Sequence, residues 1–170
     1  MRDRFTLTRP LTARGALLVV ASLAVGGAAA QTMPKEGKFD VTNCSVSAST
    51  VIQFSKTLTA NTTELVGNTR SNPPGGPFDL TTFRCLTISL TIDGKSSGSF
   101  YCESIDKDGD KWMSRATSEG PTSKLDAIGG TGKYEGMVRT GTSESLGAFP
   151  AIKPGTSTAC SRQTGTYRLK

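Results

Sequence analysis

The sequence predicts an all-β domain, built as either a barrel or a sandwich. Ser, Thr and Gly dominate the chain, while long runs of the strong helix formers are missing. Apolar residues do not recur with helical spacing, whereas short segments of strand-like alternation are separated by turn residues. The dipeptide Asp93-Gly94, a strong signal for a two-residue hairpin turn, lies between two such segments. These observations favour antiparallel strands joined by short turns.

Residues 1–30 are predicted to be a Sec-type signal peptide rather than part of the fold. Four arginines form a basic segment, Gly15 to Gly27 form an apolar segment, and Ala28 to Ala30 supply a small-residue cleavage site. The apolar segment is shorter than the ~20 residues of a membrane-spanning helix, which favours cleavage over a retained anchor. We therefore expect a domain of residues 31–170 that is periplasmic or secreted and has no membrane anchor in its mature form.

The charge of the chain gives little reason to expect a nucleic-acid partner. The formal net charge is +6 for the full chain, but four of the arginines lie in the predicted signal peptide. Residues 31–170 contain 16 basic and 13 acidic residues, and these are scattered. Nucleic-acid binding usually requires a basic stripe, so a solvated surface is the simpler interpretation.

Nine strand segments are predicted along the mature chain. Each alternates or is rich in β-branched residues, and turn residues separate it from the next. The predicted strands are Gly37–Ser47, Thr50–Leu58, Thr62–Thr69, Phe83–Ile92, Gly98–Ile105, Lys111–Thr117, Lys124–Ile128, Gly136–Ser145 and Ser161–Leu169.

The four cysteines predict two disulfides, because all of them remain after removal of residues 1–30 and their number is even. Cys85 and Cys102 are equidistant from Asp93-Gly94, so a hairpin with that turn places them opposite each other at disulfide distance. Cys44 and Cys160 are left to form the second bridge, which would tie the first strand to the last. The competing use of four cysteines, a zinc site, lacks a Cys-x-x-Cys pair and any histidine.

Two segments rich in Pro and Gly, Ser71–Pro77 and Gly147–Gly155, are predicted to be loops, either plain connectors or binding loops.

The segment Asp106–Asp110 resembles the start of a calcium-binding EF-hand loop. The match then fails, since Lys111 and Thr117 occupy the positions of the required Gly and Glu. A hairpin turn at Asp108-Gly109 explains the same residues more simply, and we predict no metal site.

The segment Gly129–Tyr134 is glycine-rich but does not match a phosphate-binding loop, so we interpret it as a turn between strands.

Catalysis by a Ser-His-Asp or Cys-His group is excluded because the chain contains no histidine. Acid and base chemistry by Lys, Glu or Tyr remains open. We predict no cofactor and recognise no catalytic group, so the sequence leaves open whether the protein is an enzyme.

Turns at 93–94 and 108–109 would give two opposite faces to the three strands that they join. The more apolar face is predicted to point inward, and it contains Leu86, Ile88, Leu90, Ile92, Tyr101, Glu103, Ile105, Trp112, Ser114 and Ala116. Tyr101, Glu103 and Trp112 are then candidate ligand-binding residues. Burial would raise the pKa of Glu103, unless that side chain lies in water near a barrel rim. A register change of one residue would alter this assignment.

The segment Cys102-x3-Asp106-Lys-Asp-Gly-Asp-Lys111, followed by Gly129-Gly-Thr-Gly-Lys-Tyr-Glu-Gly136 and Gly141, resembles bacterial exported members of the allene oxide cyclase-like superfamily, which includes dirigent proteins. The resemblance extends from Phe83 to Gly141. It implies a single antiparallel eight-stranded β-barrel whose interior holds a small hydrophobic molecule, often in trimers. No catalytic residue of the family can be placed on this chain.

The sequence therefore leads to one functional hypothesis and two alternatives. The first is an exported barrel that binds a small hydrophobic ligand in its interior. The second is a barrel isomerase or cyclase that acts on a lipid-like or phenolic substrate through Glu103 and Tyr101. The third is a protein-interaction scaffold that uses the loops rich in Pro and Gly.

Overall fold

The computed structural model describes residues 33–119 and 122–170, and the predicted signal peptide lies outside this part of the chain. The described residues form eight strands and one short 3-10 turn, Gly132–Tyr134. The strands are β1 (Glu36–Gln53), β2 (Leu58–Ser71), β3 (Thr81–Ile92), β4 (Lys95–Ile105), β5 (Lys111–Glu119), β6 (Thr122–Gly130), β7 (Val138–Phe149) and β8 (Thr156–Arg168). Within these ranges no helix is long and apolar enough to cross a membrane.

The eight strands form a closed antiparallel barrel in sequence order. Each strand pairs with its neighbours in the chain, and β1 closes the barrel by pairing with β8 from Glu36 opposite Arg168 to Ala48 opposite Thr156. Closure gives each of the eight described strands two hydrogen-bonded neighbours. The predicted eight-stranded antiparallel barrel is confirmed, and the sandwich alternative is wrong.

The main error in the predicted strands concerns the start of the domain. The strand expected at Gly37–Ser47 and the first part of the one expected at Thr50–Leu58 are one strand, because β1 continues through this polar region to Gln53. Residues 54–57 connect it to β2, which begins at Leu58. The predicted loop Gly147–Gly155 also begins too early, since β7 runs to Phe149 after a bulge between Ser145 and Gly147. Ser, Thr and Gly do not interrupt the strands of this barrel.

Both predicted disulfides are confirmed. Cys85 is bonded to Cys102 and Cys44 to Cys160, with Cα–Cα distances of 4.0 and 4.1 Å. Each bridge joins residues directly opposite each other on neighbouring strands. The two bridges lie on opposite faces of the barrel wall, since Cys85 is buried in the interior and Cys44 is exposed outside.

The hairpin of β3 and β4 has the predicted register but the opposite orientation. Ile92 pairs with Lys95 around Asp93 and Gly94, which both have positive φ angles, 47° and 77°, as a type I′ turn requires. However, Cys85 points into the barrel with 6% exposure, whereas Leu86 and Ile88 point outward with 54% and 63% exposure. The expected inward position of the Leu and Ile side chains of β3 is therefore wrong.

The register between β4 and β5 differs by one residue from the prediction. Ile105 pairs with Lys111, so residues 106–110 form a five-residue loop instead of a two-residue turn at Asp108-Gly109. The Asp106 carboxylate stabilises this loop by accepting hydrogen bonds from the backbone N–H groups of Asp108 and Asp110, at 2.9 and 3.1 Å. As a result, Trp112 lies on the face opposite to that of Tyr101 and Glu103.

An aromatic cluster fills one end of the barrel, which we call the packed end. Phe78, in the loop between β2 and β3, lies at its centre and is 3% exposed. Its ring centroid is 5.3 Å from those of Trp112 and Tyr167 and 5.4 Å from that of Phe39. The buried cluster consists of Phe39, Val41, Phe78, Trp112, Tyr134, Met137, Tyr167 and Leu169. A loop residue therefore closes this end of the barrel.

Candidate functional site

The other half of the barrel, which we call the open half, contains a cavity of about 410 Å³. Its wall carries many small side chains together with a few larger apolar ones. The lining residues are Asn43, Ser45, Leu65, Thr69, Phe83, Cys85, Phe100, Cys102, Ser104, Trp112, Ser114, Ala116, Ser123, Leu125, Arg139, Ser143, Ser145, Ala159, Cys160, Ser161 and Gln163.

The cavity exists because the strands place small residues at inward positions of the open half. On β5 the inward positions change from Trp112, in the packed end, to Ser114 and Ala116 along the cavity wall. On β8 they change from Tyr167 to Ser161 and Ala159. Large inward side chains would fill an eight-stranded barrel completely, so the small ones leave space for another molecule.

Exposure along β1 shows where the cavity opens. Phe39 and Val41, at the packed end, are 3% and 1% exposed. Ser47 is half-buried and Ser49, further along the same face, is exposed. The interior therefore becomes accessible to solvent toward the end where the β1–β2 and β3–β4 turns lie.

A buried arginine lies where the cavity meets the aromatic cluster. Arg139 is 5% exposed and lines the cavity. Its guanidinium carbon lies 4.2 Å from the ring centroid of Phe39 and 5.0 Å from that of Phe78. Its Nη2 donates a hydrogen bond of 3.0 Å to Oε1 of Gln163. The base of the cavity therefore has one positive charge above an aromatic surface.

The three predicted ligand-binding residues do not lie together. Trp112 is 4% exposed and lines the cavity, whereas Tyr101 is half exposed on the outer surface. Glu103 also faces outward, and its carboxylate accepts a hydrogen bond of 2.8 Å from Lys111. That hydrogen bond lowers the pKa of Glu103. Of the two alternatives for this residue, the structure has the exposed carboxylate and not the buried one.

The calcium-like segment is part of an ion-pair cluster in the structure. Lys133 Nζ lies 2.6 Å from carboxylate oxygens of both Asp106 and Asp108. Tyr134 donates its hydroxyl hydrogen to Asp106 at 3.0 Å. Burial acts to raise the pKa of Asp106, but the hydrogen bonds from Lys133 and Tyr134 outweigh it and lower that pKa. The Lys133 ammonium group thus already supplies a positive charge between these two carboxylates.

The glycine-rich segment supports the same cluster. Gly132 has a φ angle of 53°, and a Cβ atom there would lie 1.9 Å from a carboxylate oxygen of Asp110. Only glycine fits this conformation and this close approach. The interpretation of Gly129–Tyr134 as a turn agrees with the 3-10 turn that follows β6.

Sequence reasoning missed Arg139, although one pattern could have indicated it. Arg139, Gly141, Ser143 and Ser145 alternate with other residues on one predicted strand, and in the structure Arg139, Ser143 and Ser145 line the cavity. Because the face contains a charge and several serines, it would ordinarily be assigned to solvent. The alternation shows which residues share a face of the strand, but it does not show whether that face points into the barrel or toward solvent.

Comparisons with known proteins give a likeness of fold. No protein-family model matches the chain, and no curated protein sequence matches it. Among solved structures, the chain is similar to the pterocarpan synthase dirigent protein GePTS1, with 10% sequence identity and a TM-score of 0.47. The alignment covers 82% of this chain and 94% of that chain. The eight-stranded barrel is established by its own strand pairing, and this likeness adds nothing to it.

Proposed function

We propose that the protein is an exported barrel that binds a small, largely apolar molecule in its open half. The observation that carries the proposal is the cavity of about 410 Å³ inside the barrel wall. This volume lies within the ~300–1,000 Å³ that is usual for small-molecule sites. Phe83, Phe100 and Leu125 supply apolar surface, and a few polar groups lie among them, which is the usual composition of such sites.

Export is the second part of the proposal. All four cysteines form disulfides, and disulfides persist mainly in oxidising compartments. This agrees with the signal peptide predicted at residues 1–30. We expect the mature protein to begin at Gln31 and to be found outside the cytoplasm of a Sec-competent host. Intact-mass measurement of the secreted or periplasmic protein tests this, and a full-length mass confined to the cytoplasm would contradict it.

A neutral fluorescent probe, N-phenyl-1-naphthylamine, tests ligand binding. Trp112 is the one tryptophan of the chain and lines the cavity, so a probe bound there will quench its emission by energy transfer. We expect saturable quenching with one probe per barrel. The proposal fails if the folded mature protein shows no saturable quenching.

A pair of variants locates the bound probe. Ala116 lines the cavity, and Ala116→Phe should weaken probe binding by about tenfold because the new ring occupies the space. Thr117, the next residue, is exposed on the outer wall, so Thr117→Phe serves as the matched control with unchanged binding. Equal effects of the two substitutions would show that the probe binds elsewhere.

The alternative isomerase or cyclase that uses Glu103 and Tyr101 gains no support from their positions. Both side chains are exposed on the outer surface and do not line the cavity. A reaction inside the barrel would need other groups.

A second candidate function is association between copies of this chain. The outer face of β3 exposes Leu86, Ile88, Leu90 and Ile92, and Tyr101 of β4 pairs with Leu86 beside them. Exposed apolar patches often mark interfaces. Light scattering after size-exclusion chromatography should then show an oligomer that Ile88→Lys dissociates, while Thr82→Lys, on the same face near the packed end, does not. A monomeric wild-type protein would exclude this function.

A further inference from the structure

Arg139 differs from the paired arginines of the described chain. Arg70, Arg84, Arg115 and Arg162 form ion pairs with Asp79, Glu64, Asp126 and Asp40, and all four are largely exposed. Arg139 is 5% exposed, yet no ion pair to it occurs within residues 33–119 and 122–170. A buried charge without a counter-charge is unfavourable, so the buried arginine is the one expected to have a partner.

The guanidinium group also has unused hydrogen-bonding capacity. Its Nε is buried and has no hydrogen-bond acceptor among the described residues. The direct hydrogen bond that it makes goes from Nη2 to the neutral amide of Gln163. Phe39 and Phe78 contact its face, which stabilises a cation partly but satisfies none of the N–H groups.

The described cavity wall contains no acidic residue and no other basic residue. Its net charge is therefore the single positive charge of Arg139. Burial lowers the pKa of Arg139 to about 10, so the group remains charged at neutral pH. A molecule that enters the cavity meets an apolar and hydroxyl-lined wall with one unneutralised cation at its base.

We propose that Arg139 binds the carboxylate of an amphipathic ligand whose apolar part fills the open half of the barrel. This inference rests on the proposed function and adds the chemical class of the ligand. A planar carboxylate matches the fork of a guanidinium group and can accept two parallel hydrogen bonds from it. Gln163 Oε1 accepts a hydrogen bond from Arg139, and the amide N–H groups of the same side chain can act as donors to the carboxylate.

Competition between an acid and the matching alcohol tests the proposal. Decanoate and 1-decanol share an apolar chain and differ in the charged head group. Each is titrated against protein loaded with N-phenyl-1-naphthylamine, and displacement of the probe is followed. We expect decanoate to displace the probe at a concentration lower by about 10- to 100-fold, because hydrogen bonds to a charged group contribute this much.

Three variants separate the role of Arg139 from general electrostatics. Arg139→Gln should remove the preference for decanoate, whereas Arg139→Lys should retain part of it. Arg115, on the outer wall with Asp126, provides the control, since Arg115→Gln should leave the preference unchanged. Normal binding of the neutral probe by each variant shows that its barrel is folded.

The outcomes distinguish this inference from the proposed function. If the neutral probe does not bind the wild-type protein, the proposed function fails and this inference fails with it. If the probe binds but decanoate and decanol compete equally, or the preference persists in Arg139→Gln, only the carboxylate site is wrong. A crystal structure of the wild-type protein with decanoate decides the matter without a variant. The carboxylate should lie about 3 Å from Arg139 nitrogens, and a head group at the mouth would overturn the assignment.

Discussion

The packed end and the open half of this barrel are stabilised in different ways. At the packed end, the Phe78 ring contacts four other aromatic rings and the buried residues form one continuous cluster. Along the open half, the inward side chains are small and a cavity replaces the core. Both disulfides join strands that enclose the cavity, because Cys85, Cys102 and Cys160 are among its lining residues. Cys44 is directly opposite Cys160.

This difference indicates how a small barrel can remain folded around a cavity. Apolar burial stabilises a domain in proportion to the area removed from water. The open half contributes less of this stabilisation because small side chains line its interior. Disulfides stabilise instead by restricting the unfolded chain. The strands that enclose the cavity are therefore held together without side chains that would fill it.

The largest effect is expected from removing the disulfides. The Cys44–Cys160 bridge spans a sequence separation of 116 residues and the Cys85–Cys102 bridge a separation of 17. Loop-closure entropy then predicts that replacing both cysteines by Ala lowers the free energy of unfolding by about 4–5 kcal/mol for the first pair and about 3 kcal/mol for the second. Urea denaturation of the two double variants measures this. Losses below about 1 kcal/mol would show that the open half does not depend on them.

The next largest effect is expected from replacing a phenylalanine by alanine at the packed end, in comparison with the same replacement in the open half. Phe78→Ala should lower the free energy of unfolding by about 3–5 kcal/mol, because it leaves a cavity among close-packed rings. Phe100 lines the existing cavity and is only half-buried, so Phe100→Ala should lower the free energy of unfolding by only about 1–2 kcal/mol. Thermal and urea unfolding measure both. If the two losses are equal, the distinction between a packed end and an open half is wrong.

A smaller effect concerns the seam between β1 and β8. Arg162 on β8 donates a hydrogen bond from Nε to Asp40 on β1 at 3.0 Å, and this lowers the pKa of Asp40 from 3.8 to about 2. The folded state then binds fewer protons than the unfolded state between these values, so the stabilisation is complete above pH 4 and is lost as pH falls to 2.

Melting temperatures of the wild-type protein and Asp40→Asn across this pH range isolate the contribution. Wild type should be the more stable at pH 5, and the difference should become negligible near pH 2. A difference that does not change with pH would mean that the charge of Asp40 is not its cause.

The smallest effect on stability is expected at Arg139. Its burial lowers its pKa, which means that the charged form is less favourable in the folded protein than in the unfolded chain. Arg139→Met should therefore leave the free energy of unfolding of the ligand-free protein unchanged within about 1 kcal/mol or raise it. Urea denaturation tests this. A loss of about 3 kcal/mol or more would show that the arginine serves the structure instead of a ligand.

The hairpin of β3 and β4 and the two disulfides could be predicted from the sequence because local signals specify them, whereas the count of eight strands came from the resemblance to the barrel superfamily. Asp93-Gly94 determines a turn, that turn determines the pairing of Cys85 with Cys102, and the remaining cysteines join the first strand to the last. These inferences depend on the positions of residues along the chain, which the sequence contains directly. They hold whichever face of the strands points inward.

The orientation of the wall could not be predicted because it depends on the cavity. The prediction assumed that the more apolar face of β3 lies inside, which holds for a filled core. Here Leu86 and Ile88 point outward and the interior of the open half is lined by Ser and Cys side chains. The hydrogen bonds of the Asp106 carboxylate stabilise a five-residue loop between β4 and β5 where a two-residue turn is predicted. The register of β5 therefore differs by one residue from the prediction, which places Trp112 on the face opposite to Tyr101 and Glu103.

A crystal structure of the mature protein soaked with N-phenyl-1-naphthylamine tests the central claim most directly. The account predicts one probe molecule inside the open half, in contact with Leu125 and Ala116, with the aromatic cluster around Phe78 unchanged. A probe found only on the outer face beside Leu86 and Ile88, or an open half closed by inward movement of its wall, would contradict it.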